Sequence, residues 1–410
     1  MVAPAEHSTG PGGVPAGTGA GRSSRRTRRL LQLTTLVSTL DRFAMAPMLV
    51  AIAADLDVPL GQVVGAAGVY FLTYGLMQPV WGLLSDRLGL VRTLRLTLVA
   101  GAVATTLSTL AWSVAALAVA RGLAGVFFAA AVPSTLVYVG DTVPAQHRQR
   151  DVTDLMAGVA VGTGIAAASA GAVADHWSWR LVFVATGFAA AVLSVALRGL
   201  PEPTVSRSRG SLLAPLVAVL RNRPARLVLA LAVAEGIVLL GLLTLLPTSL
   251  EHGGASASVA GLVTASFAIA VLGGAQATGR LSRRVGGSRL LAFGASVALA
   301  ACLVAAASST VAAGVAVALL LGVAWSSMHS TVQTWATQVF PQQRAATVSL
   351  FAGSLFAGSA LGTLLLGGLA EDGRFGAAFL SLAVVTVPLG VVGAVARSRW
   401  ESLDGPRTLG

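Results

Sequence analysis

Two acidic residues lie inside long apolar stretches of the chain, where a charge is unfavourable. Asp41 is near the middle of the apolar run 31–54, and Glu235 is near the middle of the run 226–249. A charged side chain at that depth of a membrane costs roughly 3 kcal/mol, so it requires a partner, a water-filled cavity or a proton. Burial disfavours the charged form of a carboxyl group, which lets such a residue bind and release protons near neutral pH. Both acids are therefore candidates for proton coupling.

Two arginines are the candidate partners of Asp41. Arg42 is the next residue, and Arg121 lies in another apolar run. Adjacent residues on a helix point about 100° apart, so Arg42 cannot fully share the face of Asp41, and Arg121 is the alternative partner. The competing interpretation is a fixed ion pair in which Asp41 never titrates.

A short charged sequence occurs twice in the chain. Residues 82–89 read Gly-Leu-Leu-Ser-Asp-Arg-Leu-Gly, and residues 279–286 read Gly-Arg-Leu-Ser-Arg-Arg-Val-Gly. Several glycines, prolines and aspartates of the first half recur in the second half at the same offset as these two segments. That offset carries Asp41 to position 238, one helical turn from Glu235. The chain is therefore predicted to be a tandem of two related halves. Two parallel repeats of a membrane unit, with a site where they meet, are typical of secondary transporters.

The composition is that of a membrane protein. Hydrophobic residues make up 55% of the chain and charged residues 11%, and the mean hydropathy is +0.79, whereas soluble chains average about 25% charged residues. A spanning helix needs roughly 20 apolar residues. The sequence predicts an all-α membrane protein with twelve such runs, at 31–54, 61–84, 94–112, 114–139, 152–174, 181–198, 226–249, 258–279, 289–308, 311–337, 346–369 and 376–397.

Basic residues predict the orientation of these runs. The chain has 28 basic residues, all arginine. Outside the apolar runs, nearly all of them fall in the loops on one side of the membrane, and only Arg180 and Arg374 fall in the loops on the other side. The positive-inside rule then places both termini in the cytoplasm. The net charge of +12 is expected to reflect this topology and contact with anionic lipid. Nucleic-acid binding is not expected, because the arginines are dispersed.

The apolar runs and the loops between them divide the chain into five predicted segments. The start of the chain is rich in Gly, Pro, Ala, Ser, Thr and Arg and cannot bury a core. A signal peptide is not expected, because the run that follows is long and carries charge. The segments are a disordered cytoplasmic tail 1–29, a six-helix bundle 30–198, a cytoplasmic linker 199–225 with a short amphipathic helix near 211–220, a second six-helix bundle 226–397 and a cytoplasmic tail 398–410.

Motifs of nucleotide-driven or hydrolytic chemistry are missing from the sequence. It contains no Walker A loop, Rossmann glycine pattern, zinc-ligand spacing or nucleophile elbow. The single cysteine, Cys302, cannot form a disulfide within the chain. We therefore expect neither an enzyme nor a protein that requires a metal or cofactor.

The repeated segment resembles motif A of the major facilitator superfamily, which lies between the second and third helices. In the fourth run, 121–125 resembles motif B of that family; 141–148 is similar to the end of its fourth helix, and 179–183 to the start of its sixth. The resemblance covers residues 30–400. It implies the major facilitator fold, two pseudo-symmetric six-helix bundles, in a monomer in the inner (plasma) membrane.

Within that superfamily the chain is most similar to the twelve-helix drug:proton antiporters. It departs from them in the fifth run, where 162–171 has no proline, and after Gly89, where Leu90 replaces a basic residue. The resemblance implies proton-coupled export of small amphipathic or cationic organic compounds by alternating access. Aromatic and methionine side chains beside buried acids would suit such a cation. The alternatives are a proton symporter that imports a small metabolite and a membrane sensor that transports nothing.

The resemblance also assigns roles to individual residues. In the family, motif A packs the halves together on the cytoplasmic side when the transporter faces outward, with its carboxylate at the start of the eleventh helix. Its arginines would then pair with Asp141 or Asp151; in the second copy Arg283 replaces the aspartate. The gating candidates are Gly82, Asp86, Arg87, Gly89, Arg92, Asp141 and Arg148. The proton-coupling candidates are Asp41, Glu235 and Arg121, and the substrate-binding candidates are Arg42, Tyr70, Phe71, Tyr74, Gln78, Phe127, Phe128, Trp325, Met328 and His329.

Overall fold

The computed structural model describes residues 25–203, 213–282 and 284–404. Most of the predicted N-terminal tail, the middle of the linker, Arg283 and the last six residues lie outside this described part. Within it, 12 helices are long and apolar enough to cross a membrane, which confirms the predicted spans. They are Arg25–Leu56, Leu60–Ser85, Leu90–Thr109, Val114–Thr142, Gln146–His176, Arg180–Gly199, Arg223–His252, Ala257–Leu281, Gly287–Ala307, Val311–Gln338, Pro341–Glu371 and Phe375–Leu403.

Helices extend into both predicted tails. The first helix begins at Arg25, so residues 25–29 of the predicted tail are helical; arginine is a good helix former, and Arg28 is held by Asp151 at 3.2 Å. The last helix continues to Asp404, into the predicted C-terminal tail. The linker contains the expected short helix, at Ala214–Arg221.

Three spans contain a change of helix type near their middle. The first bends at a 3₁₀ turn, Ala46–Met48, where Pro47 removes a backbone donor. The seventh contains a π-helical turn at Gly236–Leu240, and the tenth contains one at Trp325–His329. Such π turns are frequent at functional sites.

Each half packs its six helices in the same way. In the first half the first span packs on the fifth, the second on the fourth and the third on the sixth; the seventh, eighth and ninth spans pair correspondingly with the eleventh, tenth and twelfth. The second span against the eleventh, and the fifth against the eighth, form the interface between the halves. Small residues permit this approach: a Cβ atom on Gly75 would lie 2.7 Å from the carbonyl oxygen of Gly353.

The two ends of the molecule are packed differently. We call the end that carries residues 25, 89, 200, 286 and 404 the arginine-rich side, and the other end the opposite side. On the opposite side a methyl group at Gly171 would overlap the carbonyl oxygen of Ala257. In the eighth span, by contrast, none of residues 271–282, towards the arginine-rich side, is buried. The halves are therefore closed on the opposite side and diverge on the arginine-rich side, although the second and eleventh spans stay in contact.

Candidate functional site

A buried ion pair joins the first and fourth spans. The guanidinium of Arg121 donates to both carboxylate oxygens of Asp41, at 3.1 and 2.8 Å, and to the Asp41 carbonyl oxygen at 2.9 Å. The Thr105 hydroxyl donates to the same carboxylate at 2.8 Å. Asp41 is 0% exposed and Arg121 is 1% exposed. Of the two partners that the sequence allowed, the structure brings Arg121 to Asp41.

Aromatic rings hold the arginine of this pair in place. The Arg121 guanidinium lies over the ring of Tyr70 at 4.6 Å and over that of Phe183 at 4.5 Å. Arginine does not lose its proton in proteins. The Asp41 carboxylate thus accepts three side-chain hydrogen bonds opposite a partner that keeps its charge.

Arg42 has no such acidic partner. Its Nη1 donates to the Tyr74 hydroxyl at 2.7 Å and its Nη2 to the Thr39 hydroxyl at 3.4 Å. The guanidinium lies 4.8 Å from the centre of the Phe43 ring and 5.2 Å from that of Phe356. It is 6% exposed, and no carboxylate of the described residues is within ion-pair distance of it.

A cavity of about 10 Å³, room for about one water molecule, brings several predicted residues together where the halves meet. Arg42, Tyr70, Phe71 and Arg121 line it on the first half, and Thr244 of the seventh span lines it on the second. The ring of Phe71 stacks on Phe356 of the eleventh span, with centroids 6.2 Å apart. Arginine, hydroxyl and aromatic groups thus converge where the halves meet.

Other substrate candidates lie elsewhere. Phe127 packs against Trp81, with centroids 6.4 Å apart, and Phe128 packs against Gly101. Met328 packs against the ninth span, where a Cβ atom on Gly294 would meet its backbone nitrogen at 2.6 Å. These three side chains do not line the cavity, and neither does Gln78, which is buried in the second span. Periodicity cannot distinguish the cavity-facing side of a buried helix from its packed sides.

A second acid–base pair joins the seventh and tenth spans. Oε1 of Glu235 lies 3.3 Å from Nδ1 of His329, an ion-pair distance, although the two groups are not aligned as a hydrogen bond. Glu235 is 0% exposed, and the His329 ring stacks on Trp325 with centroids 4.2 Å apart. Glu235 directly precedes the π turn of the seventh span, and His329 ends that of the tenth.

The sequence analysis missed this second pair. The spacing of the internal repeat carries Arg121 to Ala318, about three helical turns from His329, so the repeat does not predict this partner. The available signal was simpler: His329 is the only ionisable residue in 311–338, and an ionisable side chain inside a span requires a partner.

The gating motif is capped by a residue that the sequence analysis also missed. Gly89 has a left-handed backbone, φ +96°, and the Glu202 carboxylate accepts hydrogen bonds from the backbone nitrogens of Val91, at 3.2 and 3.1 Å, and Arg92, at 3.2 Å. These nitrogens begin the third span, where negative charge is favoured. A Cβ atom on Gly89 would lie 2.8 Å from this carboxylate. Glycine is therefore required for close approach as well as for the turn.

The predicted ion pairs of the gate are not formed in this conformation. Asp151 pairs with Arg28 and not with motif A, and Asp141 and Arg87 are exposed. Arg148 makes a long hydrogen bond, 3.4 Å, to the carbonyl oxygen of Val143. Gly82 faces Ser349 of the eleventh span, whereas the side chain of Asp86 lies outside the described residues. The family places these ion pairs in the outward-facing conformation, and here the halves diverge at this end.

Sequence comparison identifies the family. A profile of the Major Facilitator Superfamily matches residues 31–253 and 242–407, nearly the whole chain. The chain belongs to the Major Facilitator Superfamily. The predicted superfamily and fold are confirmed, and transport is the shared activity of its members. Membership of the drug:proton antiporters stays a prediction.

Solved structures share the fold of this superfamily member. The nucleoside transporter NupG superposes with a TM-score of 0.75 at 13% identity, covering 91% of this chain and 99% of that one. A bacterial homologue of the human lysosomal transporter Spinster, in an inward-facing and unoccupied conformation, gives a TM-score of 0.75 at 18% identity, covering 93% and 99%. At these identities the likeness concerns the fold alone.

Two curated relatives share part of the sequence. The chain is 31% identical over 159 residues to the hexuronate transporter of Escherichia coli strain K12, and equally to that of Escherichia coli O157:H7. The aligned segment covers 38% of this chain and 37% of each relative. The chain thus matches little more than a third of the length of these relatives.

Proposed function

We propose that this protein is a proton-coupled symporter that imports a small organic acid by alternating access. The observation that carries the proposal is Arg42, a buried cation beside the cavity between the halves that no described carboxylate neutralises. This proposal adopts the alternative that the sequence left open, uptake of a metabolite, over export of an organic cation.

The chemistry of Arg42 favours a carboxylate ligand. A guanidinium presents a planar fork of N–H groups that matches a carboxylate in a bidentate arrangement. The aromatic rings around Arg42 compensate its charge only in part, since a cation–π contact contributes roughly 0.5–2 kcal/mol. A bound anion would complete the compensation, and Tyr74 already fixes one edge of the guanidinium.

An organic cation fits the same cavity poorly. Arg42 and Arg121 both line it, and like charges in a medium of low dielectric repel strongly. The Asp41 carboxylate already accepts three hydrogen bonds from Arg121 and Thr105. A cationic substrate would compete with the Arg121 guanidinium for this acid.

The comparisons support the same class of substrate. The curated relatives are hexuronate transporters, and a hexuronate is a sugar that carries a carboxylate. In this conformation the cavity has room for about one water molecule, so a sugar acid would enter only after the halves move apart. Its hydroxyl groups would then bond to Tyr74 and Thr244, which lie beside Arg42 or in the same cavity.

The orientation and the coupling complete the proposal. With both termini in the cytoplasm, as the arginine distribution predicts, a protein closed on the opposite side is inward-facing. Protons moving inward down their gradient would drive uptake of the acid. We propose that a monomer in the plasma membrane performs this cycle without a cofactor.

A substrate panel in proteoliposomes tests the proposal. Purified protein would be assayed for exchange and for proton-driven uptake of labelled hexuronates and other sugar acids, neutral sugars and organic cations. We expect saturable transport of an acid and none of its uncharged amide. Saturable transport of a cation that the acids do not inhibit would overturn the proposal in favour of drug export.

A further inference from the structure

We propose that Glu235 and His329 form one proton-binding site in the second half, in which His329 takes up the proton and Glu235 holds it. Only the use of this proton in transport rests on the proposed function. This gives a role to two residues inside the second half that do not line the cavity at Arg42.

The burial of the two residues fixes the order in which they receive the proton. Glu235 is 0% exposed, and the side chain of His329 is 10% exposed. Neither carboxylate oxygen of Glu235 has a hydrogen bond in the described part of the chain. Solvent protons therefore reach Glu235 through the imidazole, whose Nδ1 lies 3.3 Å from Oε1.

The proton transfer balances without any further reactant. A proton bound at Nε2 of the neutral imidazole gives an imidazolium. Transfer of the Nδ1 proton to Oε1 of Glu235 then breaks the Nδ1–H bond, forms an O–H bond and leaves both groups neutral. A buried carboxyl group is more stable neutral than charged. An unpaired charge in the second half is thus removed when the proton arrives.

The first half shows why this site belongs to the second. Asp41 faces an arginine that cannot release a proton, and Thr105 completes its bonds. In the second half the base that faces the acid is a histidine, and an imidazole, unlike a guanidinium, can release a proton.

No other ionisable group competes for the proton inside the second half. The eighth, ninth, eleventh and twelfth spans pack against the seventh and tenth. Their described charged residues lie near the span ends, and Cys302 is their single ionisable side chain near mid-membrane. Arg42 of the first half contacts the ring of Phe356, 5.2 Å from its centre, and does not pair with Glu235. The charged residues of these four spans are Arg280, Arg289, Arg344, Glu371, Arg397, Arg399, Glu401 and Asp404.

Tryptophan fluorescence tests the site without any substrate. Trp325 stacks on His329, and a protonated imidazole quenches a stacked indole more than a neutral one does. Because the wild type passes the proton on to Glu235, we expect acidification to quench its Trp325 only weakly. Glu235→Gln should instead keep the proton on the imidazole and show reversible quenching at low pH that is lost when Trp325→Phe or His329→Gln is added, while Asp41→Asn should behave like the wild type. Quenching as strong in the wild type as in Glu235→Gln would overturn the proposal.

Transport assays give the second readout. In proteoliposomes, Glu235→Gln and His329→Arg should lower proton-driven accumulation at least about tenfold more than they lower substrate exchange, a loss of about 1.4 kcal/mol of coupling. His329→Arg gives the second half the kind of base found in the first. Full accumulation in both variants would overturn the inference. If no organic acid is exchanged by the wild type, the proposed function fails, whereas the fluorescence titration still decides the proton site.

Discussion

Asp41 and Arg42 are neighbours in the chain but have opposite electrostatic surroundings. The Asp41 carboxylate accepts three side-chain hydrogen bonds, two of them from Arg121. The Arg42 guanidinium turns away, donates to Tyr74 and Thr39, and meets no acid among the described residues. The roughly 100° between successive helix positions lets one residue stabilise the first half while the next faces the cavity.

Substitution of Arg42 should weaken substrate binding. Arg42→Lys keeps the charge but loses the bidentate fork, so we expect the Kd for the transported acid to rise about tenfold. Arg42→Ala should raise it at least about thirtyfold, since truncating one partner of a buried charge pair costs about 2–5 kcal/mol. Isothermal titration of purified protein measures both. As a control, Arg180→Lys alters an arginine on the opposite side and should leave Kd unchanged. A rise in Kd equal to that of Arg42→Lys would contradict a specific contact between Arg42 and the substrate.

Breaking the buried pair of the first half should destabilise the protein. Asp41→Ala leaves Arg121 charged and unpaired, which typically costs about 3–5 kcal/mol. Asp41→Asn can still accept from the guanidinium and should cost less. Thermal unfolding followed by tryptophan fluorescence would rank them. The double variant Asp41→Ala with Arg121→Met should recover much of the loss, and a double variant as unstable as Asp41→Ala would mean that the charge pair is not the cause.

Loss of the Glu202 cap should affect the gate more than the site. Glu202→Ala removes the acceptor for the first nitrogens of the third span, and loss of a side-chain cap costs about 0.5–2 kcal/mol. Because Glu202 is exposed, we expect the lower end of that range. Turnover should fall while substrate Kd is unchanged, and Glu202→Gln, which keeps an acceptor oxygen, should lie between. A large change in Kd with normal turnover would argue against a role in gating.

A bulkier side chain at Gly171 should open the closed side. Gly171→Val cannot coexist with the present approach of the fifth and eighth spans, because even a methyl group overlaps Ala257. Labelling of Thr244→Cys by a membrane-impermeant thiol reagent from the opposite side reports the opening, since the natural Cys302 is buried. We expect faster labelling in Gly171→Val. Gly368→Val is the matched control, because a Cβ atom there meets nothing within 4 Å, and equal rates in the two variants would refute the interpretation.

The sequence by itself determined the architecture, because the constraints that set it are local. Twelve apolar runs are long enough to span a bilayer, and a spanning segment must satisfy its own backbone hydrogen bonds, which requires helices. The internal repeat and motif A predicted the superfamily, and burial of a charge marked Asp41 and Glu235 as unusual. Each of these inferences depends on residues close together in the chain.

Only the tertiary structure decided which charges meet. The partner of Asp41 is 80 residues away, the partner of Glu235 is on the tenth span, and the third span is capped by Glu202 of the linker. Periodicity shows that a helix is buried but not which neighbour faces each side chain, so Met328 and Phe127 resembled cavity residues as closely as Tyr70 did. The electrostatic difference between a paired Asp41 and an unpaired Arg42 depends on distances of a few ångströms between helices, and such distances follow from packing and not from spacing in the chain.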